Sequence, residues 1–214
     1  MSAAGKGRPL IVCDCDEVLL YMVSHFRDWL GEDEGVRFEM QGANFAEAMR
    51  WAESGELVEQ ADVWRLLNKF FDHEMDRQHP IEGAVEAVNA LGQHAEFVIL
   101  TNLLDKRRDH RAEQLKRHGI DAEVHTNQGP KGPAIAALIE RYNPSRTIFI
   151  DDLPQHHASA RETIPDITTL HFCGEPMIAP HIGCAHEAGH ADARIDEWVL
   201  ATPWLIDELT KEDA

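Results

Sequence analysis

The fold of this chain is most constrained by three short apolar runs that each end abruptly in polar groups. Leu10-Ile11-Val12-Cys13 runs into Asp14 and Asp16, Phe97-Val98-Ile99-Leu100 into Thr101 and Asn102, and Thr147-Ile148-Phe149-Ile150 into Asp151 and Asp152. Uninterrupted branched side chains fit strands buried on both faces of a parallel sheet, and Pro9 bounds the first of them. Parallel strands deliver their functional groups at their carboxyl ends. All three polar termini are therefore expected at one sheet edge, although the residues lie far apart in sequence.

Between the runs the periodicity is helical. From Ile81 onward, helix and strand alternate: Ala84, Val85, Val88 and Leu91 mark a helix stopped near Gly92, and Arg107 to Arg117 reads as a charged surface helix closed by Gly119. A short strand around Ala122 to His125 leads to Gly129-Pro130-Lys131-Gly132-Pro133, with Pro133 placed for the first turn of a helix faced by Ile135, Leu138, Ile139 and Tyr142. Asn143-Pro144 ends that helix. A last strand is expected from Ile167 to Phe172. Strand, crossover and strand in this order imply right-handed βαβ units, hence an α/β fold with a doubly wound parallel sheet.

The block from Leu20 to His79 differs. Leu19, Val23, Phe26 and Leu30 repeat at helical spacing with Gly31 available as a stop, and further helices are expected around Phe45 to Ala52 and Val58 to Glu74. No strand pattern stands out there. The reading is a small helical insertion over 20–79, bounded near His79-Pro80, in a core formed by 1–19 and 80–214. The Trp64, Phe70 and Phe71 cluster is read as packing on one helical face, while contact between substrate and His25, Phe26, Met49 or Trp51 is left open.

Asp14 and Asp16 share one strand end, and their mutual repulsion calls for a proton or a hard divalent cation such as Mg²⁺. Alone, an Asp-x-Asp turn is as often an acidic turn as a site. With Thr101, Asn102, Lys131, Asp151 and Asp152 at the same edge, the set contains the parts of a phosphoryl-transfer site. It has a carboxylate nucleophile, carboxylates for a metal, and a hydroxyl and an ammonium for the remaining phosphate charge. Asp152 has a rival reading as a helix N-cap, and Asn102 as a brace for its loop.

Asp14-Cys15-Asp16-Glu17-Val18-Leu19, Thr101, Lys131 and Asp151-Asp152 resemble, in order, the four motifs of the haloacid dehalogenase (HAD) superfamily. The resemblance implies a Rossmann-type core with a C1-type cap over the site. It implies that Asp14 is the nucleophile forming an aspartyl-phosphate and Asp16 the general acid and base. Thr101, Asn102 and Lys131 would then hold phosphate, and Asp14, Asp16 (through its backbone carbonyl), Asp151 and Asp152 would surround Mg²⁺. Glu17 stands where glycine is common in the family, and His156 where asparagine is frequent. Retention of Asp16 resembles the phosphatases and phosphomutases rather than the dehalogenases. The expected function is a Mg²⁺-dependent phosphatase acting on a small phosphorylated metabolite. The alternatives are a phosphomutase and a non-catalytic binding or regulatory protein.

Acids outnumber bases 38 to 20, for a formal charge of −18, which argues against an extended nucleic-acid interface. Neither Met1 to Arg8 nor any later segment has the apolar length of a signal peptide or a membrane span, so a soluble, cytoplasmic protein is expected. Oligomeric state is left open. The four cysteines (Cys13, Cys15, Cys173, Cys184) show no pairing pattern, and a disulfide framework is not expected. His171, His181, His186 and His190 with Cys173 and Cys184 suggest zinc, but lack ligand spacing and read as a loop after the last strand.

Overall fold

A computed structural model describes residues 7–42 and 44–211. The outermost parts of the expected core, 1–6 and 212–214, lie outside the described residues, as does most of the N-terminal stretch read for a signal sequence.

Strand β1 (Leu10–Cys13) is fully buried. Ile11 and Cys13 join one apolar cluster and Leu10 and Val12 another, as side-chain alternation in a strand buried on both faces requires. After Asp14 the chain turns sharply at Glu17, whose φ of 62° is left-handed, a conformation that favours glycine. Two local bonds accompany this turn. The Glu17 carboxylate accepts from the backbone N–H groups of Val23 at 2.6 Å and Met22 at 3.1 Å, capping α1 (Val23–Trp29).

Helix α1 does not stop at Gly31. It widens into a π-turn over Leu30–Glu34, and Gly35, left-handed at φ 63°, ends it. The expectation of no strand between Leu20 and His79 is also corrected. Strands β2 (Val36–Phe38) and β3 (Met49–Trp51) pair antiparallel, and only a 3₁₀ turn, Phe45–Ala48, stands where a helix was expected. Helix α2 (Gln60–His73) completes this unit, whose core includes Phe26, Trp29, Met49, Leu66 and Phe70. Cys173 and Ile178, from beyond the last long strand, pack into the same cluster. The excursion leaves and returns at one point, where Leu20 bridges Pro80.

From there the alternation follows the expected order: α3 (Ala84–Leu91), β4 (Glu96–Thr101), α4 (Arg108–Arg117), β5 (Glu123–Thr126), α5 (Gly132–Tyr142), β6 (Thr147–Asp151), α6 (Pro154–Thr163) and β7 (Thr168–His171). A two-residue strand β8 (Ala193–Arg194) and helix α7 (Trp198–Thr210) finish the chain. The sheet order is β5-β4-β1-β6-β7-β8 with every pairing parallel. Helices α3 and α7 cover one face and α5 and α6 the other, which is the doubly wound architecture. Helix α4 is not simply a surface helix, because Arg111 and Gln114 are fully buried.

Helix α5 starts in close contact with α6. A Cβ on Gly132 would lie 2.2 Å from the Ser159 carbonyl oxygen, and the Gly132 N–H donates to Ser159 Oγ at 3.0 Å. Glycine is needed for that approach, which fixes Lys131 at the sheet edge.

Candidate active site

Asp14 follows β1 directly, Asp151 ends β6, and Lys131 precedes α5; β1 and β6 are hydrogen-bonded neighbours. Lys131 Nζ lies 2.8 Å from Asp14 Oδ1 and 2.6 Å from Asp151 Oδ2. The ammonium is entirely buried. Backbone donors complete the two carboxylates: Cys15 N–H gives to Asp14 Oδ1 at 2.7 Å, and Leu153 N–H to Asp151 Oδ1 at 2.9 Å. Carboxylate oxygens of Asp14, Asp151 and Asp152 all fall within 4.8 Å of one another.

Three carboxylates against one ammonium leave an excess of buried negative charge. Burial pushes the Asp14 carboxyl up, with Lys131 opposing and Asp151 adding to the rise. Asp152 is also pushed well up, by burial and then by Asp151 and Asp14. Burial would raise Asp151 as well, but Lys131 and then His156 and His157 offset it and hold this carboxyl low. Burial works against the Lys131 charge, and Asp14 and Asp151 outweigh it. Among the described residues this is the grouping suited to a metal, and its all-oxygen donors fit a hard divalent cation.

Asp16 points elsewhere. Its Oδ1 accepts from Gln78 Nε2 at 2.8 Å and lies 3.0 Å from an Arg111 terminal nitrogen, so two buried side chains fasten it. Its carboxylate is not in the Asp14, Asp151, Asp152 cluster, which leaves only its backbone carbonyl for a metal there. Thr101 is buried at the end of β4. Asn102 is chiefly a brace: its Nδ2 donates to the Gly129 carbonyl at 3.0 Å, and its Oδ1 accepts from Asn127 Nδ2 at 3.1 Å. Asp152 does not cap α6, since the N-cap residue is Leu153.

A cavity of about 350 Å³ opens over these groups. Asp14, Asp16, Thr101, Asn102 and Asp152 line it, whereas Lys131 lies beneath its surface. Trp64 and Phe71 line it too; Phe70 is in the insert's core and Phe71 packs against that core, so the packing reading is corrected for Trp64, which is exposed, and is only part of the role of Phe71. His25, Phe26, Met49 and Trp51 do not line it.

Sequence reading missed four supporting residues. Gln78 and Arg111 hold Asp16, and two buried histidines hold the strand ends that carry the metal-type carboxylates. His157 Nε2 lies 3.0 Å from the Asp151 carbonyl and His171 Nε2 2.8 Å from that of Asp152. Because His171 Nδ1 accepts from Ala185 N–H, its Nε2 carries the proton and donates. His171 therefore has a scaffold role instead of zinc ligation. Burial, then His157 and Arg194, lowers its pKa to about 4. A histidine depressed in the fold binds its proton more readily when unfolded, so stability is full above about pH 6.5 and falls as pH drops toward 4. Between pH 7 and pH 4.5, denaturant titrations should show wild type losing about 2–3 kcal/mol more than His171→Gln. Parallel pH curves for the two proteins would refute that assignment.

No protein-family model matches the sequence, and no curated protein matches it. Solved structures do. A HAD-family hydrolase of Deinococcus radiodurans with bound phosphate and sodium superposes with a TM-score of 0.66 at 18% identity, covering 96% of this chain and 97% of that one. The HAD hydrolase YfnB of Bacillus subtilis, bound to magnesium, gives 0.61 at 14% identity over 94% and 99%. A Bacteroides vulgatus protein assigned as a β-phosphoglucomutase gives 0.56 at 11% over 96% and 91%. The chain has the haloacid dehalogenase-like fold.

Proposed function

We propose that this chain is a HAD-superfamily phosphatase, dependent on Mg²⁺, that hydrolyses a small phosphate monoester through an aspartyl-phosphate on Asp14. The observation that carries the reading is the meeting of Asp14, Lys131, Asp151 and Asp152 at one sheet edge beneath a cavity that Thr101 and Asp16 also line. The magnesium- and phosphate-bound proteins of the same fold support it.

In this reading Asp14, Asp151, Asp152 and the Asp16 carbonyl would hold the cation, which would supply charge neutralisation to the phosphate oxygens. Asp14 attacks phosphorus as the ester P–O bond breaks, and Asp16 delivers a proton to the departing oxygen. Water then attacks the phosphorus, gives a proton to Asp16, and releases inorganic phosphate and the free Asp14 carboxylate. Thr101 and Lys131 bind the phosphate oxygens throughout. Gln78 and Arg111 fix the Asp16 carboxylate for both proton transfers.

Phosphate release from a panel of monoesters tests the proposal. Replacing Mg²⁺ by EDTA should lower the rate at least about 100-fold, because several kcal/mol of charge stabilisation is withdrawn. Turnover indifferent to EDTA would contradict it.

A further inference from the structure

Helix α2 carries two apolar stripes of identical spacing, one residue apart. Val63, Leu66 and Phe70 are buried in the insert's core, whereas Trp64, Leu67 and Phe71 line the cavity over Asp14. One residue is about 100° of helix rotation, so the second stripe also reaches the cavity, although Leu67 and Phe71 keep contact with the core cluster. Phe45, Leu103 and Ile178 extend the same apolar wall from three other segments.

Among the described residues no lysine or arginine lines this cavity. Apart from His156, whose pKa burial lowers, every ionisable group in the lining is an acid. The nearby cations are committed. Arg107 lies 5.6 Å from the Phe71 ring centre but bonds to Asp72 and Asn68, and Arg111 sits behind Asp16. A second anionic group on the substrate would lose water and gain no counter-charge. A polyhydroxylated one would leave its hydroxyls without partners along the apolar wall.

We infer that the substrate is a phosphate monoester of an apolar, ring-bearing or branched alcohol with no second anionic group, its leaving group seated against Trp64, Leu67 and Phe71. This rests on the phosphatase reading above. The products are the neutral alcohol and inorganic phosphate. A bisphosphate would find no second site here, so transfer to water is favoured over a mutase cycle.

Esters of comparable primary alcohols isolate the effect from leaving-group reactivity. The full chain with Mg²⁺ is assayed on benzyl phosphate, 4-carboxybenzyl phosphate and glycerol 3-phosphate, with acetyl phosphate as a probe that needs no apolar wall. Benzyl phosphate should exceed both other esters in kcat/KM by about 100-fold or more, the scale on which such sites discriminate. Trp64 is 59% exposed, so Trp64→Arg should fold, and it should narrow the gap between benzyl and carboxybenzyl esters about tenfold by supplying a counter-charge. Equal rates, a preference for either polar ester, an unchanged gap in the variant, or cleavage of acetyl phosphate alone would overturn the substrate class and leave the phosphatase reading standing. Metal-dependent release from none of the four compounds would remove both.

Discussion

Asp14→Asn should lose at least about 10⁴-fold in phosphate release while keeping the wild-type fold, since the amide cannot form the covalent intermediate. The substitution is conservative in shape. An asparagine Oδ1 can still accept from Cys15 N–H and from Lys131, the two donors that Asp14 Oδ1 uses. Burial and Asp151 already disfavour the charge at this position, so removing it should hold or raise the melting temperature of the metal-free protein. Activity should therefore fall without a loss of stability. An unfolded variant would not test the assignment; a folded variant with wild-type turnover would exclude Asp14 as nucleophile.

Lys131→Met should lose both. The ammonium is the partner of two buried carboxylates, and removing one member of such a cluster costs about 3–5 kcal/mol. For a chain of this size that corresponds to roughly 10 °C in melting temperature. The sign with pH follows from the charges left behind. Without Lys131, the carboxylates should take up protons more readily, so the deficit should be smaller at pH 5.5 than at pH 8. Mg²⁺ at pH 8 should recover part of it by replacing the lost positive charge. Activity should fall about 10²–10³-fold with the loss of one donor to the phosphate. A variant as stable as wild type at pH 8 would contradict the burial of a working ion cluster here.

The strands that carry the site were legible because their sequences are uniform. A strand buried on both faces needs no particular partner to be recognised, and Leu10–Cys13 and the run in β4 were read at nearly their true bounds. Thr101, Lys131, Asp151 and Asp152 could be placed by topology alone, since parallel strands share one functional edge. The insert was read less well. Val36–Phe38 and Met49–Trp51 are three residues each, too short to display an alternation. The π-turn over Leu30–Glu34 carried the helix past Gly31, and nothing in local propensity announces it. Helix α2 gave the right element but the wrong duty for Trp64 and only part of the duty of Phe71, because both stripes have the same period and only tertiary structure separates them.

Arg111 and Gln78 illustrate a different limit. Arg111 lies in a segment, Arg108–Arg117, whose composition describes an exposed helix, yet it is fully buried beneath Asp16. Its burial is decided by a residue 95 positions earlier in the chain. His171 invited a zinc reading through its neighbours in sequence, while its hydrogen bonds run to the Asp152 carbonyl and the Ala185 N–H. Pattern reading finds polar groups gathered at strand ends. It does not find the buried partners that hold them, because those are chosen by packing.

In the proposed reaction Asp14 itself becomes phosphorylated. Acid quenching of the enzyme during turnover of a monoester, reduction with borohydride and peptide mass spectrometry test this directly, because an acyl phosphate is reduced to the alcohol. Homoserine in place of aspartate at position 14, formed only when substrate and Mg²⁺ are both present, is the expected result. Sustained turnover with Asp14 unmodified, or with the reduction product at another carboxylate, would contradict the account.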